Sequence, residues 1–316
     1  MTKKEDRIFV SLTGGLGNQL FQLAAGLAQP KEQLVLLSIF GKPRSRKNGK
    51  PDVTEFTLPP GARYSGDYKE SWLTSKAAGY LLRSGIYLTR LQKISGLLGV
   101  AKFAGAAILS ASLRTIVSPH ASTGIGFSPI DRLGKTPLLL GYFQTYRWAS
   151  SPRVNALLRE MRIERPGPGL IERMALAELE SPLIVHVRLG DYKSEKDFGL
   201  PSESYYAKAV NLMMKIGNYS KIWLFSDEPE LALSRIPSEF HDRVRIIAEI
   251  DNSPASTLEL MRHGRGYIVA NSSFSWWGAF LTHDNSAKVV VPSPWFSNLN
   301  DPLDLIPETW IQLSAK

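Results

Sequence analysis

A chain of 316 residues, 43% hydrophobic and 21% charged, has the composition of a folded soluble protein and the length of one large or two ordinary domains. It contains no cysteine, which excludes disulfides, thiolate metal sites and thiol catalysis and fits a reducing compartment. With 38 Lys and Arg against 29 Asp and Glu, the net charge of +9 points to anionic partners: nucleic acid, a diphosphate or an anionic membrane.

In chain order, the charged Met1–Arg7 start leads directly into an apolar strand, so no signal peptide is expected. Strand Ile8–Leu12, the loop Gly14-Gly-Leu-Gly17, helix Asn18–Gln29 and strand Gln33–Ile39 read as a βαβ opening. The glycines allow a sharp turn, and the helix N-terminus then aims its unpaired N–H groups into the same space. Lys42–Lys50 is a basic loop without interleaved aromatics, which argues against a nucleic-acid stacking surface. Tyr80–Leu98 and Ala101–Ser112 read as helices. The apolar region Ile94–Val117 has its longest uncharged stretch at Phe103–Leu113, well short of the roughly 20 residues a membrane span needs. It is expected to be a buried helix. Leu138–Gln144 reads as a strand and Asn155–Met161 as a helix.

Arg165-Pro-Gly-Pro-Gly169 is the clearest break and is taken as the boundary between domains at 1–165 and 170–316. Beyond it, helices and short apolar strands alternate. Helices are expected over Leu170–Glu180, Ser202–Ile216, Glu230–Arg235, Ser256–Arg262 and Phe274–Leu281. Strands are expected over Leu183–Val187, Lys221–Phe225, Arg243–Ile247, Tyr267–Ala270 and Lys288–Pro292, with a loop at Lys193–Gly199. Such alternation builds a parallel sheet, and ligands gather at the carboxyl ends of its strands. His186–Asp191, Asp227 and Asn271–Ser273 all fall there.

Three segments carry the chemistry. The glycine loop runs into Asn18 and Gln19. His186-Val-Arg-Leu-Gly-Asp-Tyr192 ends an apolar strand, where a guanidinium is costly unless it meets an anion such as phosphate. The alternative there is a salt bridge from Arg188 to Asp191. Asn271-Ser-Ser-Phe-Ser-Trp-Trp-Gly-Ala279 places hydroxyls and free N–H groups at a strand-to-helix turn, which suits phosphate oxygens. Taken alone, its aromatics would read as core; one of Trp276 and Trp277 is expected in the core and the other near the ligand.

Together these three motifs resemble the inverting fucosyltransferases that include the α-1,2-fucosyltransferases, whose patterns are Gly-Gly-Leu-Gly-Asn-Gln, His-x-Arg-Arg-Gly-Asp-Tyr and Asn-Ser-Ser-Phe-Ser-Trp-Trp-Gly-Ala. The matches occur in the family's order along nearly the whole chain. The resemblance implies a GT-B-like α/β fold, with two Rossmann-like domains facing across a cleft: an acceptor-side N-terminal domain and a nucleotide-sugar-binding C-terminal one. It implies transfer of fucose from GDP-fucose to the 2-hydroxyl of a terminal galactose on a glycan or lipid-linked oligosaccharide; from the residues themselves, neither nucleic acid nor a metal is expected to take part. Arg188 would bind the diphosphate. Ser272 and Ser273 would donate to phosphate and Phe274 would pack beneath the nucleotide. His186, Asp227, Gly15, Gly17, Asn18 and Gln19 would complete the donor site. Asp191 is open between ordering Arg188, holding an acceptor hydroxyl and acting as base.

Two departures stand out. Leu189 replaces the family's second arginine, and Thr257 replaces an acid used to pair with guanine; Glu259 and Asp251 are the candidates to substitute for that acid. A metal-free mechanism is further expected because no Asp-x-Asp occurs, Glu195-Lys-Asp197 sits in a lysine-flanked loop, and the histidines at 120, 186, 241, 263 and 283 are widely spread. The rival readings are a different linkage, such as α-1,6-fucosyl transfer, and a binding protein without turnover. The expected location is cytoplasmic, with peripheral contact to an anionic membrane.

Overall fold

The computed structural model describes residues 7–29, 34–38, 50–65, 105, 108, 111–112, 118–121, 127, 130, 137–190, 199–298, 301 and 304–316. The basic loop at 42–49, the helix expected over 80–98, most of 94–117, Asp191 and the loop at 193–198 lie outside them. Within the described residues no helix is long and apolar enough to cross a membrane.

Two compact units divide the chain. The first comprises residues 1–14, 18–54 and 58–160, and the second 15–17, 55–57 and 161–316. The division thus falls just before the Pro/Gly stretch, because Met161, Arg162 and Ile163 already belong to the second unit: Thr57 N donates to Arg162 O at 2.9 Å, and Phe56 bridges to Ile163.

In the first unit, β1 (Arg7–Ser11), α1 (Leu16–Leu27), β2 (Leu34–Ser38), β3 (Ala62–Tyr64), β4 (Ser118–Ala121) and β5 (Pro137–Leu140) build a parallel five-stranded sheet of order β3-β2-β1-β5-β4. All five residues of β2 are buried, as expected for a parallel strand covered on both faces. The strand expected to reach Gln144 stops at Leu140, where Gly141 and Phe143 take positive φ angles of 138° and 54° and turn the chain. Two helices, α2 (Tyr146–Ser150) and α3 (Pro152–Glu160), follow.

The second unit contains α4 (Pro168–Glu180), β6 (Leu183–Val187), α5 (Glu203–Ile216), β7 (Ile222–Ser226), α6 (Pro229–Leu233), β8 (Val244–Ile247) and α7 (Pro254–Met261). It continues through β9 (Gly266–Ile268), α8 (Ser273–Phe280), β10 (Lys288–Ser293) and β11 (Ile311–Ser314). The strands form one parallel sheet of order β11-β10-β9-β6-β7-β8. Here the alternation read from sequence holds from α4 to β10, and β11 is an added strand that the reading did not include. One difference is instructive: α4 begins inside the Pro/Gly break, with Pro168 in the first turn, where its missing N–H costs nothing. Helix α5 shows why the reading works. Ser202 caps it by accepting from Tyr205 N at 3.1 Å, and Tyr205, Tyr206, Ala209, Val210 and Met213 form a buried stripe joined to the core around β6 and β7.

Trp276 and Trp277 are both fully buried, so neither approaches a ligand. They meet edge-to-face at 4.9 Å, Trp276 stacks on Phe280 at 4.6 Å, and its Nε1–H donates to Leu305 O at 3.0 Å. Helix α8 is covered almost all round, which leaves no exposed face for either indole.

Candidate functional site at the switch point of the second sheet

The chain leaves β6 for β7 and β8 on one side, then returns to β9, β10 and β11 on the other. Connections from β6 and β9 therefore diverge although the strands are hydrogen-bonded neighbours, and a crevice opens at their carboxyl ends. Arg188, Leu189 and Gly190 emerge from β6 at this point, Asn271–Ser273 from β9, and Asp227 from the adjacent β7.

Arg188 pairs with Asp227 at 3.4 Å, with side chains 34% and 24% exposed. Asp227 also accepts N–H bonds from Leu189 at 3.0 Å and Gly190 at 2.9 Å. Burial pushes its carboxyl up, but the Leu189 and Gly190 N–H bonds and the Arg188 charge outweigh this and hold it below the usual carboxylate range. Asp227 is thus an anchored anion that fixes both the arginine and the turn after β6. Gly190 is required there, since a Cβ would lie 2.6 Å from Asp227 Oδ2. Leu189, at the place of the family's second arginine, is 1% exposed and packs in the core with Val185, Val187 and Tyr206. A single strand-end arginine therefore stands where the family pattern has two.

His186 is 6% exposed, and its Nδ1 has no hydrogen-bond partner among the described residues. Its ring lies 6.0 Å from that of Phe274. Burial, then the Arg188 charge, drive its pKa down to about 4 against a smaller opposing pull from Asp227, so the imidazole is neutral near pH 7. It can donate or accept a hydrogen bond there but supplies no charge.

Ser272 is the N-cap of α8, accepting from Phe274 N at 3.3 Å. Its oxygen is thus used inside the chain, whereas Ser273 is half-buried in the first turn, where helix N–H groups favour anions. Asn271 Nδ2 donates to Gly199 O at 3.0 Å and Trp295 O at 3.2 Å, fixing the approach to this helix. Gly17, assigned to the second unit, packs on the start of α8: a Cβ would lie 2.5 Å from the Ser273 carbonyl carbon. Gly15 is exposed with nothing within 4 Å of a built Cβ.

In the first unit, Gln19 Nε2 donates to Gly14 O at 3.0 Å while its Oε1 accepts from Val53 N at 3.0 Å. Asn18 Oδ1 accepts from Gln144 Nε2 at 2.7 Å. Gln22, which motif reading passed over, does the same kind of work, accepting from Thr13 N at 3.0 Å and donating to Gly141 O at 2.8 Å. These amides brace the glycine loop.

Thr257 Oγ1 accepts from Ile250 N at 3.0 Å and donates to Ser253 O at 3.0 Å, stitching the turn before α7. Glu259 does not replace the missing acid: it is buried near the opposite end of α7, bonded to Arg262 at 2.8 Å. Asp251 turns its carboxylate onto the backbone of Gly167 and Gly169. The histidines are not all spread apart, either: His263 and His283 lie with ring centroids 4.7 Å apart. No local spacing reveals that pair, because separate turns supply the two rings.

Two doubly wound parallel sheets in one chain are the α/β layout of a GT-B-type fold. The fold is similar to that of NodZ alpha-1,6-fucosyltransferase in its crystal structure soaked with GDP-fucose, with a TM-score of 0.53 and 14% identity over 95% of this chain and 100% of that one. NodZ from Bradyrhizobium gives 0.51 and 16% over 89% and 94%. Residues 171–310 match the family model of glycosyl transferase family 11. An α-1,2-colitosyltransferase of Escherichia coli is 25% identical over 97% of this chain and 98% of its own length. A galactoside 2-alpha-L-fucosyltransferase of Caenorhabditis elegans is 23% identical over 46% and 42% respectively. Over residues 171–310 the chain is thus similar to glycosyl transferase family 11, and the relatives it resembles are glycosyltransferases.

Proposed function

We propose that the protein transfers fucose from GDP-fucose to the 2-hydroxyl of a terminal galactose, with inversion and without a metal ion. The observation that carries this reading is the Arg188–Asp227 pair beside the N-terminus of α8 at the switch point. When an acceptor oxygen attacks the anomeric carbon, the bond to GDP breaks and negative charge builds on the departing diphosphate. Arg188, oriented by Asp227, and the first N–H groups of α8 offset that charge. Neutral His186 and the half-buried ring of Phe274 border the same position. Asp227, carrying the family's nucleotide-contacting acid, acts through Arg188 rather than as a base.

A colitosyl donor is the second reading, favoured by the near full-length similarity to the E. coli colitosyltransferase. The test supplies GDP-fucose or nucleotide-activated colitose to galactose-terminated acceptors and determines the linkage of the product. An α-1,2-fucosyl galactoside supports the first reading, and product from the colitosyl donor alone replaces it with the second. GDP binding without product from either donor rejects both in favour of a binding protein. EDTA-treated enzyme should retain its transfer rate; loss restored by Mg²⁺ or Mn²⁺ would overturn the metal-free mechanism.

A further inference from the structure

At the opposite end of the second sheet, two turns lead into the amino ends of β9 and β10. His263 lies in the first, after α7, and His283 in the second, after α8. With Glu259 they offer three ligand atoms within 4.8 Å of one another. We propose that Glu259, His263 and His283 form a zinc-binding site at this edge of the sheet, remote from the carboxyl-end crevice. Two imidazoles and a carboxylate, with a fourth position left to water, are a donor set that Zn²⁺ takes.

The surroundings are built as a ligand shell needs. His263 turns Nδ1 toward Glu178 Oε1 at 3.4 Å, while its Nε2 is buried without a hydrogen-bond partner among the described residues. A carboxylate on one ring nitrogen directs the lone pair to the other, the usual support of a metal-bound imidazole. Glu259 Oε2 is held by Arg262 at 2.8 Å, leaving Oε1 facing His283 Nε2 at 3.6 Å.

Both turns are locked. His283 N donates to Arg262 O at 2.9 Å, Arg262 Nε donates to Leu281 O at 3.1 Å, and Tyr267 Oη bonds Thr282 Oγ1 at 2.9 Å. Three carboxylates, Glu259, Glu178 and Asp284, face two guanidiniums, Arg262 and Arg265, which favours an added cation. Zinc bonds of about 2.0–2.1 Å need the donors closer than they stand, and His283, 47% exposed, is the ring free to swing inward.

The test is calorimetric titration of metal-free, full-length protein with Zn²⁺, with Co²⁺ absorption as a probe of geometry and thermal unfolding followed in parallel. One Zn²⁺ per chain, a higher Tm and a tetrahedral Co²⁺ spectrum are expected. His283→Ala, at a half-exposed position, should fold normally and weaken binding at least tenfold. Glu178→Gln should weaken it by about 10–100-fold. No binding, an octahedral Co²⁺ spectrum, or unchanged affinity in His283→Ala would overturn the site. None of these readouts depends on sugar transfer.

Discussion

Each sheet has a switch point, between β1 and β5 in the first and between β6 and β9 in the second, and the two use polar side chains differently. At the first, Gln19 and Gln22 spend both ends of their amides on backbone groups of adjacent loops. At the second, Arg188 remains 34% exposed on an anchored carboxylate, and His186 keeps a buried ring nitrogen without a partner among the described residues. A satisfied amide holds a loop in place, whereas a guanidinium at a strand end that stays partly exposed can still meet an anion. Similar topology thus carries satisfied amides in one unit and, on the proposed reading, the donor-binding groups in the other. Mutation should expose the contrast as a split between stability and rate.

The largest expected effect is on rate. Arg188→Ala should lower kcat/KM by about 10²–10³ with the fold intact, because Leu189 is committed to the core and cannot replace the lost charge. A rate within a few-fold of the parent would erase the functional half of the contrast.

His186 gives a comparable effect on stability, confined to low pH. Its folded pKa of about 4 lies below the 6.5 of the unfolded chain, so the unfolded state binds more protons between these values. Stability is therefore complete above pH 6.5 and falls as pH drops through the window, by about 3 kcal/mol at its lower end. Denaturant titrations at several pH values should show a flatter profile for His186→Gln, and coincident profiles would refute the buried neutral imidazole.

Gln22→Ala should act in the other direction, on stability rather than rate. It strands the Thr13 N–H and the Gly141 carbonyl, at a cost of about 1–3 kcal/mol by chemical denaturation. GDP affinity should barely change; a large loss of affinity with little loss of stability would break the division of labour.

The smallest effects separate the adjacent serines. Ser272→Ala removes the cap of α8 and should cost about 0.5–2 kcal/mol of stability. Ser273→Ala should leave stability near that of the parent and weaken GDP binding, worth about 0.5–1.5 kcal/mol by calorimetry. Equal effects of the two substitutions would mean that the turn acts as one packing unit.

By itself, the sequence determined the parallel α/β character of the second unit and the strand ends that bear His186, Arg188, Asp227 and Ser272. Buried parallel strands read as continuous apolar runs, and helix caps such as Ser202 are local, so both survive in one dimension. Short strands such as β3 and β11 were not legible, because their pairing partners rather than their own few residues make them strands. Only the tertiary structure decided that Arg188 pairs with Asp227, that both tryptophans belong to the core, and that His263 meets His283. Each of these depends on the sheet bringing separate turns together, and spacing along the chain carries no record of distances across it.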